Sequence, residues 1–138
     1  MTVASPDLRV GNLMTIDPVI IDPEAFAAEA EALLKTYRIS GLPVVHDGTL
    51  VGVLSQTDLV VARSSAMIGV NWDRLKVRHL MTSPAVTVHV DASIADAARE
   101  MTARHIHRLV VVDDEDQPIG VVTPLDLLRS LVTEADAG

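Results

Sequence analysis

The chain has 138 residues, of which 49% are hydrophobic and only 2% aromatic, with no cysteine and a formal net charge of −8. That length suits one globular domain with a core of Val, Leu, Ile, Ala and Met, and the lack of thiols excludes disulfides and thiolate metal sites. The acidic balance argues against nucleic-acid binding, which needs a basic surface, and no stretch approaches the roughly 20 apolar residues of a membrane span.

In chain order, Val19-Ile20-Ile21 reads as a short β-branched strand. Asp22-Pro23 supplies an N-cap and a proline at the first helical position. The helix expected from Glu24 to Tyr37 places Phe26, Ala30, Leu33 and Tyr37 on its buried face. Leu42 to Val45 and Leu50 to Leu54 read as a hairpin joined through His46-Asp47-Gly48. A closing helix is expected from about Gln56 to Ala62. Arg63 to Lys76 is less regular and holds the only tryptophan, Trp72. A second series follows: strand Val86-Thr87-Val88, then a helix from about Ser93 with Ile94, Ala97, Ala98 and Met101 inward. Strands Leu109–Val112 and Ile119–Val122 come next, across the polar turn Asp113–Gln117, and a helix from Pro124 to Val132 closes the series. Residues 1–9 and 134–138 read as loosely held termini. Met1–Asp7 lacks a basic region followed by an apolar run, so no signal peptide is expected and the chain reads as a cytoplasmic module.

The two series are copies. Leu13-Met14-Thr15 returns as Leu80-Met81-Thr82, and Gly52-Val53-Leu54-Ser55-Gln56-Thr57-Asp58 as Gly120-Val121-Val122-Thr123-Pro124-Leu125-Asp126. The offset is 67 (81 − 14), becoming 68 (126 − 58) after the turn that follows Val112. A fixed register over two half-chains marks two copies of one folding unit. Each copy alone would be marginal, because so short a chain buries too little surface. The expected boundaries are 10–66 for the first repeat and 67–133 for linker plus second repeat. Ser55…Asp58 and Thr123…Asp126 each fit a capping box at the start of an apolar helix, a structural role that needs no ligand.

The repeated strand–helix–strand–strand–helix order resembles the cystathionine β-synthase (CBS) domain, and two in tandem resemble a Bateman module. The pieces that carry the likeness are Leu-Met-Thr at 13–15 and 80–82, Gly-Leu-Pro-Val-Val at 41–45, His-Arg-Leu at 107–109, and Gly-x-x-[Ser/Thr]-x-x-Asp at 52–58 and 120–126. The resemblance implies an α/β fold of two repeats packed about a pseudo-twofold axis, usually paired again into a disc-shaped homodimer. The alanine-rich faces Ala27, Ala28 and Ala30, with Ala95, Ala97 and Ala98, fit such pairing or packing within the chain. It further implies a regulatory module, not an enzyme, that senses adenine nucleotides (AMP, ADP or ATP) in clefts between the repeats. No effector domain is recognisable, so the signal is expected to pass to a separate protein.

By that resemblance, Asp58 and Asp126 accept hydrogen bonds from ribose hydroxyls, with Ser55 and Thr123 near ribose and phosphate. His107-Arg108 contacts phosphates, as a His-Arg pair does in adenylate-binding members such as the regulatory γ subunit of AMP-activated kinase, with Leu109 following. Repeat one carries Ser40-Gly41 instead, ahead of Leu42 and Pro43, which predicts one good phosphate site and one poorer or empty one. Adenine is expected against Thr15 to Ile20 (Thr15, Val19 and Ile20) in one cleft and Thr82 to Val88 (Thr82 and Val86) in the other. The rivals are a ligand-free interaction or dimerisation module, a binder of S-adenosylmethionine or NAD, and a metal or nucleic-acid protein using His105 and His107 or the arginines. No catalytic residue, metal site or required cofactor is expected; the sequence does not fix the adenosyl ligand, but the His107-Arg108 pair favours phosphorylated nucleotides over S-adenosylmethionine.

Overall fold

The computed structural model describes residues 8–16, 18–66 and 71–137, without the side chains of 65, 66 and 131–137. Two hydrophobic clusters organise the chain, one around Leu42, Val44 and Leu54, the other around Leu109, Val111 and Val122. Each anchors one compact unit, and the units are cut differently from the sequence repeats. Unit 1 joins the residues up to Pro18 to those from Val86 onward; unit 2 is Val19–Ala85.

The cut has a physical basis. Helix α1 (Val10–Leu13) and strand β1 (Thr15–Ile16) are too short to persist alone. They are held by strands β4 (Thr87–His89), β5 (Leu109–Val112) and β6 (Pro118–Val122), which form a sheet in the order β1-β6-β5-β4. Thr15 pairs with Val121 and Ile16 with Gly120, while Val10 N and Gly11 N donate to the carbonyls of Ala92 and Val90. Unit 2 repeats the design. Strands β2 (Gly41–His46) and β3 (Thr49–Ser55) pair antiparallel, Val53 exchanges hydrogen bonds with Thr82, and Ile21 bridges to Val44. Helix α4 (Val77–Leu80) takes the place of α1, and Val10 and Val77 are both fully buried.

Glycine makes the docking possible. A Cβ at Gly52 would lie 2.7 Å from the Thr82 carbonyl and against Met81, and one at Gly120 would collide with Met14 and sit 2.9 Å from the Thr15 carbonyl. The hairpin of unit 2 closes through Asp47 (φ 49°) and Gly48 (φ 79°) between the paired His46 and Thr49, the geometry a two-residue Asp-Gly turn provides. The Ser83-Pro84 peptide is cis.

The helices are α2 (Ala27–Tyr37), α3 (Gln56–Ala66), α5 (Ile94–Arg104) and α6 (Pro124–Ala137). Both α2 and α5 end at a residue in the left-handed region, Arg38 (φ 52°) and His105 (φ 54°), at equivalent positions of the two repeats. The Ser93 hydroxyl caps α5 by accepting from Asp96 N. In unit 2, Arg63 near the end of α3 stacks 4.5 Å from the Trp72 ring centroid and reaches Glu31 on α2 at 3.2 Å.

Several sequence expectations shift. Asp22-Pro23 does not cap α2: Asp22 closes a turn, accepting from Glu24 N, and Phe26 is the residue before the first helical one. The buried face of α2 is therefore Ala27, Ala30 and Leu34, while Phe26 and Tyr37 are exposed and Leu33 half-buried. Small alanines let the helix approach its sheet closely, which the larger rings would prevent. In α5, Ala97 and Met101 are buried but Ala98 is exposed. Val19 and Ile20 form no strand, and only Ile21 makes a bridge. The closing helices extend beyond Ala62 and Val132 to Ala66 and Ala137, so 134–137 are helical; residues 1–7 and 138 lie outside the described residues. Ala27, Ala30 and Ala97 are buried within their units, while Ala28, Ala95 and Ala98 are exposed. No described helix is long and apolar enough to cross a membrane.

Candidate functional site

Each unit gathers its polar motif residues at one end of its sheet. In unit 1, β6 runs out at Val122 opposite Leu109, the first residue of β5, and α6 begins two residues later. His107 and Arg108 immediately precede Leu109, and Thr123 and Asp126 flank the first turn of α6. Thr15 sits opposite Val121, two residues before Thr123. Antiparallel pairing thus brings three chain segments to the same edge. Unit 2 matches it: Gly41 pairs with Ser55, Thr82 bridges to Val53, and the Ser40 carbonyl accepts from Gln56 N at 2.8 Å.

Both capping boxes form. Asp58 Oδ2 accepts from Ser55 N at 2.8 Å while Asp58 N donates to the Ser55 hydroxyl at 3.1 Å. Asp126 Oδ2 accepts from Thr123 N at 2.9 Å and from the Thr123 hydroxyl at 3.1 Å, and Asp126 N approaches Thr123 Oγ1 at 3.4 Å. The boxes then diverge. Asp126 Oδ1 also accepts from Arg129 Nη1 at 3.2 Å, and Asp126 is only 6% exposed. Asp58 is half-buried, and its Oδ1 has no donor among the described residues.

The electrostatics differ more than the frame. At its sheet end unit 1 carries Arg108, half-buried, and His107, exposed, just before Leu109, and Arg129 on the Asp126 carboxylate. The matching positions of unit 2 are Ser40, Gly41 and Val61 around Asp58. A forked guanidinium is suited to phosphate, as is the positive end of a helix as long as α6.

The remaining expected residues fall unevenly. Leu42, Pro43 and Leu109 are fully buried core side chains, so only their backbone groups could meet a ligand. The segment Thr15 to Ile20 is divided, with Thr15 in unit 1 and Val19 and the exposed Ile20 in unit 2. Thr82 likewise belongs to unit 2 and Val86 to unit 1. Ile16, 65% exposed on β1 beside Thr15, was not singled out by sequence; its exposure in so apolar a chain is the signal, and it is visible only once the strand is docked. His105 is the left-handed cap of α5, and among the described residues no three His, Asp or Glu side chains gather as metal ligands.

Comparison with known proteins agrees with this frame. A model of the CBS domain matches residues 10–65 and again 77–133. The chain is 33% identical over 126 residues to the uncharacterised protein MJ1232 of Methanocaldococcus jannaschii, covering 90% of this chain and 40% of that protein. The chain thus spans less than half the length of that relative. Among solved structures, CBSX2 of Arabidopsis thaliana in complex with AMP superposes with a TM-score of 0.80 at 30% identity, covering 91% of this chain and 96% of that one. The CBS domain pair of protein MJ0100, in complex with 5′-methylthioadenosine and S-adenosyl-L-methionine, gives a TM-score of 0.80 at 26% identity, with 90% and 95% covered.

Proposed function

The chain belongs to the CBS domain family, and from that premise we propose that it is a regulatory module that binds adenine nucleotides and acts by binding, not catalysis. The observation that carries the reading is the sheet end of unit 1, where Thr15, His107, Arg108, Thr123 and Asp126 converge on the first turn of α6. Asp126 receives the ribose hydroxyls, Arg108 and His107 face the phosphates, and Thr123 stands between. Thr15 and Val86 border the base. The similarity to the AMP complex of CBSX2 supports the nucleotide class.

Unit 2 supports a second reading. Its end offers Ser55, Asp58 and Thr82, with Val19 and Ile20 in the same unit, but Ser40-Gly41 supplies no cation. Such an end suits an adenosyl ligand without phosphate, such as the 5′-methylthioadenosine bound by MJ0100. The ligand biases the arrangement the protein presents to an effector, in the same polypeptide or separate, by binding one arrangement more tightly. The module works in the cytoplasm as a homodimer. Val60 on α3, with Leu125 and Leu128 on α6, are exposed apolar side chains that suit that pairing.

Calorimetric titration with AMP, ADP, ATP and S-adenosylmethionine, on wild type and Asp126→Ala, tests the proposal. Saturable binding weakened at least tenfold in the variant is expected. Absence of heat with every ligand at two temperatures, the second guarding against a vanishing enthalpy, would leave a ligand-free interaction module.

A further inference from the structure

We infer that Arg129 sets the affinity difference between the two sheet ends by competing with ribose for the Asp126 carboxylate. The inference rests on the reading of Asp126 and Asp58 as ribose-binding groups. An ionised carboxylate offers about four lone-pair positions. At Asp126 three donors already occupy them: Thr123 N at 2.9 Å, the Thr123 hydroxyl at 3.1 Å and Arg129 Nη1 at 3.2 Å. At Asp58 one donor among the described residues does, Ser55 N at 2.8 Å. A ribose cis-diol brings two O–H donors. Asp58 accepts both and keeps its cap, whereas Asp126 has room for one and must release a partner to take the second.

Burial decides which partner leaves. The Thr123 bonds belong to the cap of α6, and the Asp126 side chain is 8% exposed, whereas the Arg129 side chain is 66% exposed and regains water when it swings away. Arg129 lies three residues along α6 from Asp126, on the same helical face, so its hold depends on the helix alone. The other repeat has no such device. By the offset of 68 (129 − 61), the matching residue on α3 is Val61, which carries no donor in its side chain. The difference is one residue in an otherwise duplicated box. Arg129 therefore raises the ligand concentration at which the unit 1 site fills, and Val61 leaves the unit 2 site without that restraint.

The test isolates each site and exchanges the two residues. In a D58A background, AMP is titrated into the protein with Arg129, with R129V and with R129Q, the last preserving a long polar side chain should valine perturb the helix. In a D126A background, titration with 5′-methylthioadenosine, which brings the ribose diol without a phosphate, compares Val61 with V61R. Release of an exposed pair predicts binding tightened about two- to fivefold by both Arg129 substitutions, and weakened by a similar factor by V61R. Unchanged affinity, or weaker binding without Arg129, overturns the inference and makes Arg129 a bystander or a ligand contact. If AMP binds wild type and D126A weakens it while the Arg129 variants change nothing, the inference fails and the nucleotide reading stands. If neither wild type nor any variant binds AMP, both fail together.

Discussion

At the sheet end of unit 1, Asp126 is gripped by three donors and accompanied by His107 and Arg108; at the equivalent end of unit 2, Asp58 is gripped by one and accompanied by Ser40 and Gly41. The frame beneath is shared to the residue, with Thr15 opposite Val121 in one and Thr82 opposite Val53 in the other. Duplication therefore preserved the backbone device that makes a site and let the side chains around it diverge in charge. A second exchange makes the same point. In unit 2, Asp22, just after the Ile21 bridge, faces His46 at 3.4 Å, whereas in unit 1 the matching residue is His89, the last of β4, which lies 2.6 Å from Asp114 in the hairpin turn. The junction is tied in both copies, with acid and histidine swapped. What is retained is complementarity across the junction, not the identity of either partner.

The comparison can be broken most forcefully in the cores. Leu42→Ala and Leu109→Ala each empty a fully buried position and are expected to cost about 2–5 kcal/mol. If the units depend on each other, chemical denaturation will give one shifted transition for either variant; two transitions, with only one shifted, would make them independent folding units. Next come the glycines. Gly52→Ala and Gly120→Ala push a methyl group into a neighbouring carbonyl and methionine, at about 1–3 kcal/mol each. The strand contacts they disrupt are those of Thr82 and Thr15, so amide exchange should quicken at Thr82 in the first and at Thr15 in the second.

A smaller effect addresses charge. Arg108→Ala should lower AMP affinity about tenfold, in line with loss of a charge-assisted hydrogen bond, while leaving adenosine nearly unaffected. Equal losses for both ligands would remove Arg108 from the phosphate. Smaller still, Arg38→Gly and His105→Gly relieve a left-handed backbone at matched helix ends, each raising stability by up to about 1 kcal/mol. Equal gains in melting temperature would show the two ends to be equivalent, as their geometry indicates.

The smallest effect is with pH. The Glu24 amide, with His46, holds Asp22 below its ordinary value, and Lys76 does the same for Glu24, both in unit 2. In unit 1 the Ser93 hydrogen bond and the Arg99 charge lower Asp96. A depressed carboxyl adds stability that is complete above its ordinary value, near pH 4, and fades as pH falls through the folded value. All three are exposed, so the loss is modest and salt should flatten it. Unit 2 holds two of the three, so Trp72 fluorescence in unit 2 should respond to acid before methyl resonances of unit 1 do; the reverse order would contradict the assignment.

Local signals were fully legible in the sequence. The Asp47-Gly48 turn and the two capping boxes rest on contacts between residues a few positions apart, which the residue types themselves specify. The repeat and its change of offset were equally plain, because identical residues in fixed register need no third dimension to be counted. The burial of α2 was not. Phe26 and Tyr37 are its most apolar-looking markers by spacing, yet the helix starts at Ala27, three residues beyond the expected Glu24 (27 − 24), and turns its alanines inward. Nor did Thr15 to Ile20 announce that it would divide between units.

By itself, then, the sequence determined the two copies, the order of their elements, the polar residues at both sheet ends and the charge that separates them. Tertiary structure alone decided that residues 10–16 complete the sheet of the second repeat and residues 77–82 that of the first. A helix of four residues and a strand of two have no stability of their own, so their position is set by what they dock against. That docking puts Thr15 opposite Val121 and Thr82 opposite Val53, pairings that no local propensity encodes.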